Sequence, residues 1–294
     1  MITPGQCTAV ITGGAGQVAV ELVRTAPPEW RVVALDAKAL DVTDPIALRD
    51  VFARERPALV INAAAYTAVD AAESDAGAAE AVNERGAGQV AGAATSANAR
   101  VIHLSTDFVF DGAQGAAYRP DDEPRPLGVY GRTKLAGERE VLGRHPSALV
   151  VRTAWVYSSH GRNFVRSMLA LMRDRAAITV VADQVGTPTW ARGLAHAIWA
   201  AANRPALNGI LHWTDAGVAS WYDFAVAIRD EAIALHLLDY AAPVRPIRTD
   251  EYPTAARRPA FSVLDKSATW SALGLEPVHW RTNLRLMLRE LAGA

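Results

Sequence analysis

Apolar residues in this chain fall into short β-rich runs separated by longer stretches with helical spacing, and the two alternate. Runs at 8–12, 31–35, 59–62, 101–104 and 148–153 read as strands, too short for helices and rich in Val, Ile and Leu. Helical spacing fills the gaps: from the glycine turn to Arg24, from Asp44 to about Arg56, over 76–97, and over a segment starting near Tyr130. Asp44-Pro45 supplies an N-cap and a proline at the first helical position, and Pro57 stops that helix. Strand–helix alternation over this length predicts an α/β protein whose parallel sheet is doubly wound, covered by helices on both faces. Beyond Thr153 the pattern loosens. Residues 163–173, 189–203, 220–236 and 280–291 read as helices, and 178–181 and 210–213 as strands. The expectation is a first domain over 1–154 and a smaller C-terminal lobe made mainly from 155–294, with some later segments returning to the sheet.

The first strand runs into Gly13-Gly14-Ala15-Gly16-Gln17-Val18-Ala19, a strand–glycine turn–helix entry suited to a dinucleotide. Gly13 permits the tight turn, Gly16 lets backbone N–H groups approach a pyrophosphate, and Ala19 allows close helix packing; Gln17 and Val18 open the helix whose N-terminus favours the anion. Asp36 ends the second strand twenty residues past Gly16, where a carboxylate can accept from ribose hydroxyls. The third strand leads into Ala63-Ala64-Ala65-Tyr66-Thr67. Small residues such as Ala64 and Ala65, with Thr67 beside them, let a flat cofactor lie against the backbone. Domain 1–154 is therefore the dinucleotide-binding candidate. Asn83, in the long Ala-rich helix, is a polar candidate for tying down the strand ends. Thr106 follows the fourth strand, placed to hydrogen-bond a substrate carbonyl oxygen. Tyr130 and Lys134 lie four residues apart, on one face of a helix. A free tyrosine has a pKa of about 10, and a neighbouring ammonium favours the phenolate, so the pair is expected to form a proton-transfer device with a lowered phenol pKa.

Composition narrows the partners. Among 30 Lys plus Arg, the lysines are Lys38, Lys134 and Lys266, so a lysine at 134 stands against the chain's strong use of arginine, which cannot replace a compact charge beside a phenol. A net charge of -1 without basic clusters argues against nucleic acid. Cys7 is the only cysteine, which excludes an internal disulfide and suits a reducing compartment. The chain enters its first strand within about eight residues and carries no apolar run of about 18 residues, so a cytoplasmic protein without signal peptide or membrane span is expected.

The glycine turn, Ser105-Thr106-Asp107 and the Tyr130/Lys134 pair resemble the extended short-chain dehydrogenases/reductases. Residues 62–70 with Glu73, then 129–138, 152–157, 183–189 and 256–259, are similar to the dTDP-4-dehydrorhamnose reductase branch, and these stretches span nearly the whole chain. The resemblance implies a Rossmann-type fold with a C-terminal substrate lobe, and reduction of a dTDP-sugar C4 ketone with NADPH or NADH. It assigns carbonyl polarisation to Thr106, proton delivery to Tyr130, and to Lys134 the nicotinamide ribose and the tuning of Tyr130. It also places Asp41 and Val42 beside the adenine, Trp155 against the sugar, and Asn163, Gln184 and Arg258 among the substrate contacts.

Some members of that branch dimerise through a magnesium ion held by three glutamates. Glu21 and Glu290 match two of those positions, but Arg192 stands at the third, so a monomer or weak dimer without a bridging metal is expected. Asp36 disfavours a 2′-phosphate and hence favours NADH, while Lys38 and the branch's tolerance of both cofactors soften that preference. Three alternatives stand beside this reading. A dehydratase would be similar but with Thr-Asp-Glu at this point, where this chain has Phe108, which has no proton to give; reduction of another 4-keto-6-deoxy sugar nucleotide stays open, because sequence does not show which face of the ketone meets the hydride. A non-catalytic regulatory subunit of methionine adenosyltransferase is also similar to this family.

Overall fold

The computed structural model describes residues 7–240 and 242–293. In the first half the elements are β1 (Cys7–Thr12), α1 (Gln17–Arg24), β2 (Trp30–Leu35), α2 (Pro45–Glu55), β3 (Leu59–Asn62), α3 (Val69–Ala72), α4 (Ala76–Glu80), α5 (Ala87–Ser96), β4 (Arg100–Thr106), α6 (Val129–Arg144) and β5 (Leu149–Thr153). The second half adds β6 (Val156–Tyr157), α7 (Phe164–Asp174), β7 (Ile178–Val181), β8 (Val185–Gly186), β9 (Thr189–Trp190), α8 (Ala191–Ala202), β10 (Gly209–His212), β11 (Ala219–Ser220), α9 (Trp221–Ala234), β12 (Val244–Ile247), α10 (Ser267–Leu273) and α11 (Trp280–Ala292).

Six strands form one parallel sheet in the order β10-β5-β4-β3-β1-β2. Successive side chains of a strand point to opposite faces, and both faces here are apolar. Ala9, Ile11, Leu59, Ile61 and Ile102 meet α1 and α8 through Leu22, Leu194 and Ile198. Val10, Val60 and Val101 meet α2, α5 and α6 through Phe52, Val90 and Val141. The predicted doubly wound Rossmann-type sheet is thus present. Order reverses on the two sides of β1, which puts the switch-point crevice at the carboxyl ends of β1 and β3.

The long helix expected over 76–97 is interrupted. Residues Ala81–Gly86 form a π turn between α4 and α5. The wider turn turns Asn83 inward, where its carboxamide accepts from the Tyr66 N–H (2.8 Å) and donates to the Tyr66 carbonyl (3.1 Å) and Thr133 hydroxyl (3.1 Å). Asn83 ties the segment after β3 to α6, in keeping with its sequence-based role. A π turn has no signature in an Ala-rich pattern, which explains the difference.

Beyond β5, strand β10 pairs with β5 at the edge of the main sheet, and α8 packs on α1, where the Trp199 indole donates to the Leu22 carbonyl (3.1 Å). Other segments build a second core from α7, α9 and α11 around Leu169, Phe224, Ile228 and Leu284. Three two-stranded ladders, β6/β9, β7/β12 and β8/β11, hold its loops. Pairs of two residues carry no periodicity, so most of these strands, and the short α10, were not expected.

One buried ion pair fixes α6. Arg152, on β5, donates from Nε (2.9 Å) and a terminal nitrogen (2.7 Å) to the two oxygens of Glu138, and both residues are almost fully buried. Ser105 of β4 donates to the same carboxylate. Removing one partner leaves a buried charge alone, so Arg152→Ala is expected to lower the unfolding free energy by about 3–5 kcal/mol. Denaturant titration checks this; a loss below about 1 kcal/mol would contradict the assignment.

Candidate active site

At the crevice, Gly13 adopts φ +70, and a Cβ there would come within 2.7 Å of the Ala64 nitrogen. A Cβ on Gly14 would meet the Leu35 nitrogen at 2.8 Å. These contacts are backbone against backbone, so only glycine fits. Gly16 caps α1 without a side-chain hydrogen bond, which leaves the first-turn N–H groups directed outward for an anion. The cradle fits a dinucleotide pyrophosphate. Asp36 uses Oδ1 to accept from the N–H groups of Lys38 (3.0 Å) and Ala39 (2.9 Å), leaving Oδ2 for a ribose hydroxyl. Asp41 turns back on Thr43, accepting from its N–H and hydroxyl (both 2.8 Å), bonds that hold its carboxyl below the ordinary range. Val42 is buried beneath Gly86 of the π turn. Ala64 and Ala65 are half-buried beside Gly13, and Thr67 is exposed at the rim. Val18 is half-buried in the first turn of α1, whereas the Gln17 carboxamide leans toward the second lobe and accepts from Ser158 (3.1 Å) and Asn163 (2.9 Å).

Thr106 ends β4, and Tyr130 and Lys134 come from the first turns of α6. Glu73 fixes the start of that helix by accepting from the Val129 N–H (2.7 Å). The Lys134 ammonium is buried and donates to the Leu104 carbonyl (2.7 Å). Burial brings Lys134 down to about 8, partly opposed by Glu138 one turn away. The Tyr130 phenol moves the other way. Burial pushes it up to about 12, the Thr106 hydroxyl opposes this, and the Asp107 carboxyl adds to it. The sequence-based expectation of a lowered phenol pKa is corrected here: desolvation dominates and the Asp107 carboxyl reinforces it, so Tyr130 holds its proton at neutral pH. Asp107 is a residue that the spacing argument passed over. It is buried, with Oδ1 accepting from Thr106 (3.1 Å), Oδ2 unpaired, and burial pushing its pKa up to about 6.

Next to Tyr130 opens a cleft of ≈ 240 Å³ lined by Phe108, Trp155, Gln184, Trp221, Arg258 and Ser262, among others. Phe108 meets the Tyr130 ring edge-on at 5.5 Å. Trp155, Gln184 and Arg258 are therefore brought together, Gln184 donating to Thr249 (3.1 Å) and Arg258 gripping both oxygens of Asp70 (3.1 and 2.8 Å). Asn163 stands apart from them. Its side chain caps α7 by accepting from the Arg166 N–H (3.1 Å) and donates to Gln17 and the Ser158 carbonyl (2.8 Å), which places it beside a residue of the cofactor cradle and outside the lining of this cleft. Trp221, stacked on Trp155, was not anticipated; the Ser220-x-x-Asp223 capping box immediately around it was the available signal. A larger cleft, lined by Arg192, Trp213, Asp215 and Trp270 among others, holds none of the expected cofactor or substrate residues.

On the α1/α8/α11 face, Glu21, His160 and Glu290 bring ligand atoms within 4.8 Å of one another. Arg192 occupies the same place. Its guanidinium binds Glu21 (2.8 Å) and Glu290 (2.6 Å), and Arg24 also contacts Glu290. The carboxylates are neutralised by guanidinium groups, so the donor set does not fit a divalent cation.

The family description "RmlD substrate binding domain" matches residues 7–292. The chain belongs to this family. Among relatives, the dTDP-4-dehydrorhamnose reductase of Aggregatibacter actinomycetemcomitans is 40% identical over 283 residues, covering 94% of this chain and 96% of that protein. A probable dTDP-4,6-dihydroxy-2-methyloxan-3-one 4-ketoreductase of Streptomyces antibioticus is 44% identical, covering 97% and 96%. The dTDP-4-dehydrorhamnose reductase from Bacillus anthracis str. Ames, solved in complex with NADP, superposes with a TM-score of 0.91 at 34% identity, covering 97% of this chain and 99% of that one. For this RmlD-family member, Gly13→Ala is expected to weaken NADPH or NADH binding at least tenfold while the fold survives. Fluorescence titration of the cofactor reads it out; unchanged affinity would remove the turn from the cofactor site.

Proposed function

We propose that this protein is an NAD(P)H-dependent sugar-nucleotide 4-ketoreductase that converts dTDP-4-dehydro-β-L-rhamnose to dTDP-L-rhamnose. The observation that carries the reading is the placement of Thr106 at the end of β4 and Tyr130 at the start of α6 between a dinucleotide cradle and an aromatic-walled cleft. Residues 1–154 serve chiefly the cofactor and 155–294 mainly the sugar nucleotide. When bound, the nicotinamide supplies the hydride to C4. The cradle of Gly13, Gly16, Val18, Ala64 and Ala65 holds the dinucleotide, with Asp36, Asp41, Val42, Gln17 and Thr67 around it.

Thr106 turns its hydroxyl from Asp107 to the ketone oxygen and polarises it. Tyr130 passes its phenol proton to that oxygen as charge develops there. Lys134 supports the ribose hydroxyls and stabilises the phenolate left behind by its positive charge. Trp155 and Gln184 line the sugar's cleft, and Arg258, released from Asp70, grips the diphosphate in bidentate fashion. Phe108 has no proton to give, which disfavours dehydration. Both cofactors are accepted, with Asp36 favouring NADH. The 44% identical Streptomyces relative favours a second reading, reduction of a different dTDP-linked 4-keto sugar. A non-catalytic regulatory role is the remaining alternative. Among the described residues no helix is long and apolar enough to cross a membrane, which supports the proposed cytoplasmic setting, and a monomer or weak dimer without a bridging metal follows from Arg192.

NADH or NADPH oxidation on adding dTDP-4-dehydrorhamnose tests the reading, and product stereochemistry by NMR separates it from its rival. Tyr130→Phe is expected to lower kcat by about 10²–10⁴; full activity in that variant would remove the mechanism. A lysine carries its charge below its pKa, so kcat/KM should hold through neutral pH and fall as pH rises through about 8. Tyr130, at about 12, adds no break in that window. Persistence of the same break in Lys134→Met would reassign it. Light scattering with and without magnesium should give one mass; a magnesium-dependent dimer would overturn the reading of Arg192.

A further inference from the structure

Trp155 has φ +46, a left-handed backbone that a bulky residue keeps only when its surroundings hold it there. Three contacts do so. The Trp155 carbonyl accepts from the Thr189 N–H (3.2 Å), where β9 pairs with the strand after Trp155. Gly186 presses against the indole so closely that a Cβ would come within 2.7 Å of Cε2. Trp221 stacks on the indole with centroids 3.5 Å apart and planes at 6°.

Trp221 is itself fixed from two directions. Ser220 and Asp223 form the capping box that starts α9, with the Asp223 N–H donating to the Ser220 hydroxyl (3.0 Å) and the Ser220 N–H to Asp223 (2.9 Å). The β8/β11 ladder pairs Ala219 with Gly186, so the residue that abuts the indole and the residue that stacks on it are joined by one pair of strands. Phe164, at 4.6 Å, closes the remaining side of Trp221.

We propose that Trp221 is a positioning residue for the sugar nucleotide, holding the Trp155 indole in the plane that walls the cleft beside Tyr130. This rests on the reductase reading and on Trp155 as a sugar contact. An indole free to swing would have to be frozen by the substrate on each binding event, a cost that weakens affinity by up to about tenfold. Gly13 and Gly16 of the cofactor cradle make none of the contacts that hold this stack, so cofactor affinity should not change.

Trp221→Ala and Trp221→Phe test the proposal. Two face-to-face indoles couple their electronic transitions, and Trp30 with Trp199 forms a second close pair (5.8 Å), so the Trp155/Trp221 contribution is read by difference: wild type minus Trp221→Ala and wild type minus Trp155→Ala should give the same exciton couplet in circular dichroism. In kinetics Trp221→Ala should raise the KM for the sugar nucleotide up to about tenfold with the KM for NADPH or NADH unchanged, and Trp221→Phe should recover part of the loss. Difference spectra without a couplet, an unchanged sugar KM, or equal rises in both KM values would overturn it. If wild type fails to oxidise the cofactor, the reductase reading falls. The couplet, and calorimetric binding of dTDP-L-rhamnose to wild type and variants, still decide the role of Trp221.

Discussion

The bidentate bond between Glu138 and Arg152 is the constraint on which the site depends. It joins the helix that carries Tyr130 and Lys134 to the fifth strand, and through Ser105 to the fourth. Replacing a buried ion pair with apolar residues can be neutral for stability, so its value here is geometric. Gly137 beside it lets α6 approach until a Cβ would lie 2.0 Å from the Asn83 carbonyl. With the helix held this closely, Lys134 reaches the Leu104 carbonyl and Tyr130 is left beside Thr106. The same closeness strips water from the phenol and ammonium, and their opposite pKa shifts follow.

Much of the first half of the chain was legible because its signals are local. A strand followed by Gly13-Gly14-Ala15-Gly16, an acid at Asp36, and alternating apolar runs each report on a few neighbouring residues. Tyr130 and Lys134 were also legible as a pair, since helical spacing alone places them on one face. The direction of the phenol's shift was not. It depends on how much water the fold removes, and spacing says nothing about that.

The second half of the chain resisted reading for a different reason. Its strands are mostly two residues long and pair across large separations, as β8 does with β11, so no window of sequence contains the pattern. Trp155 could be reached only through resemblance. Asn163 was reached by the same route, and its carboxamide caps α7 and donates to Gln17.

The edge strand β10 has a consequence for how the chain reaches its native state. A fragment ending at residue 154 would leave β5 as an open edge and the face of α1 around Leu22 without α8. Open edges and bare apolar faces are what drive partly made chains to associate. The nascent protein therefore completes its nucleotide-binding sheet only after His212 has emerged, and seals α1 only when Glu290 arrives to share Arg192 with Glu21. During synthesis α1 and α11 are interdependent, and shielding of the unfinished sheet matters until α11 is made.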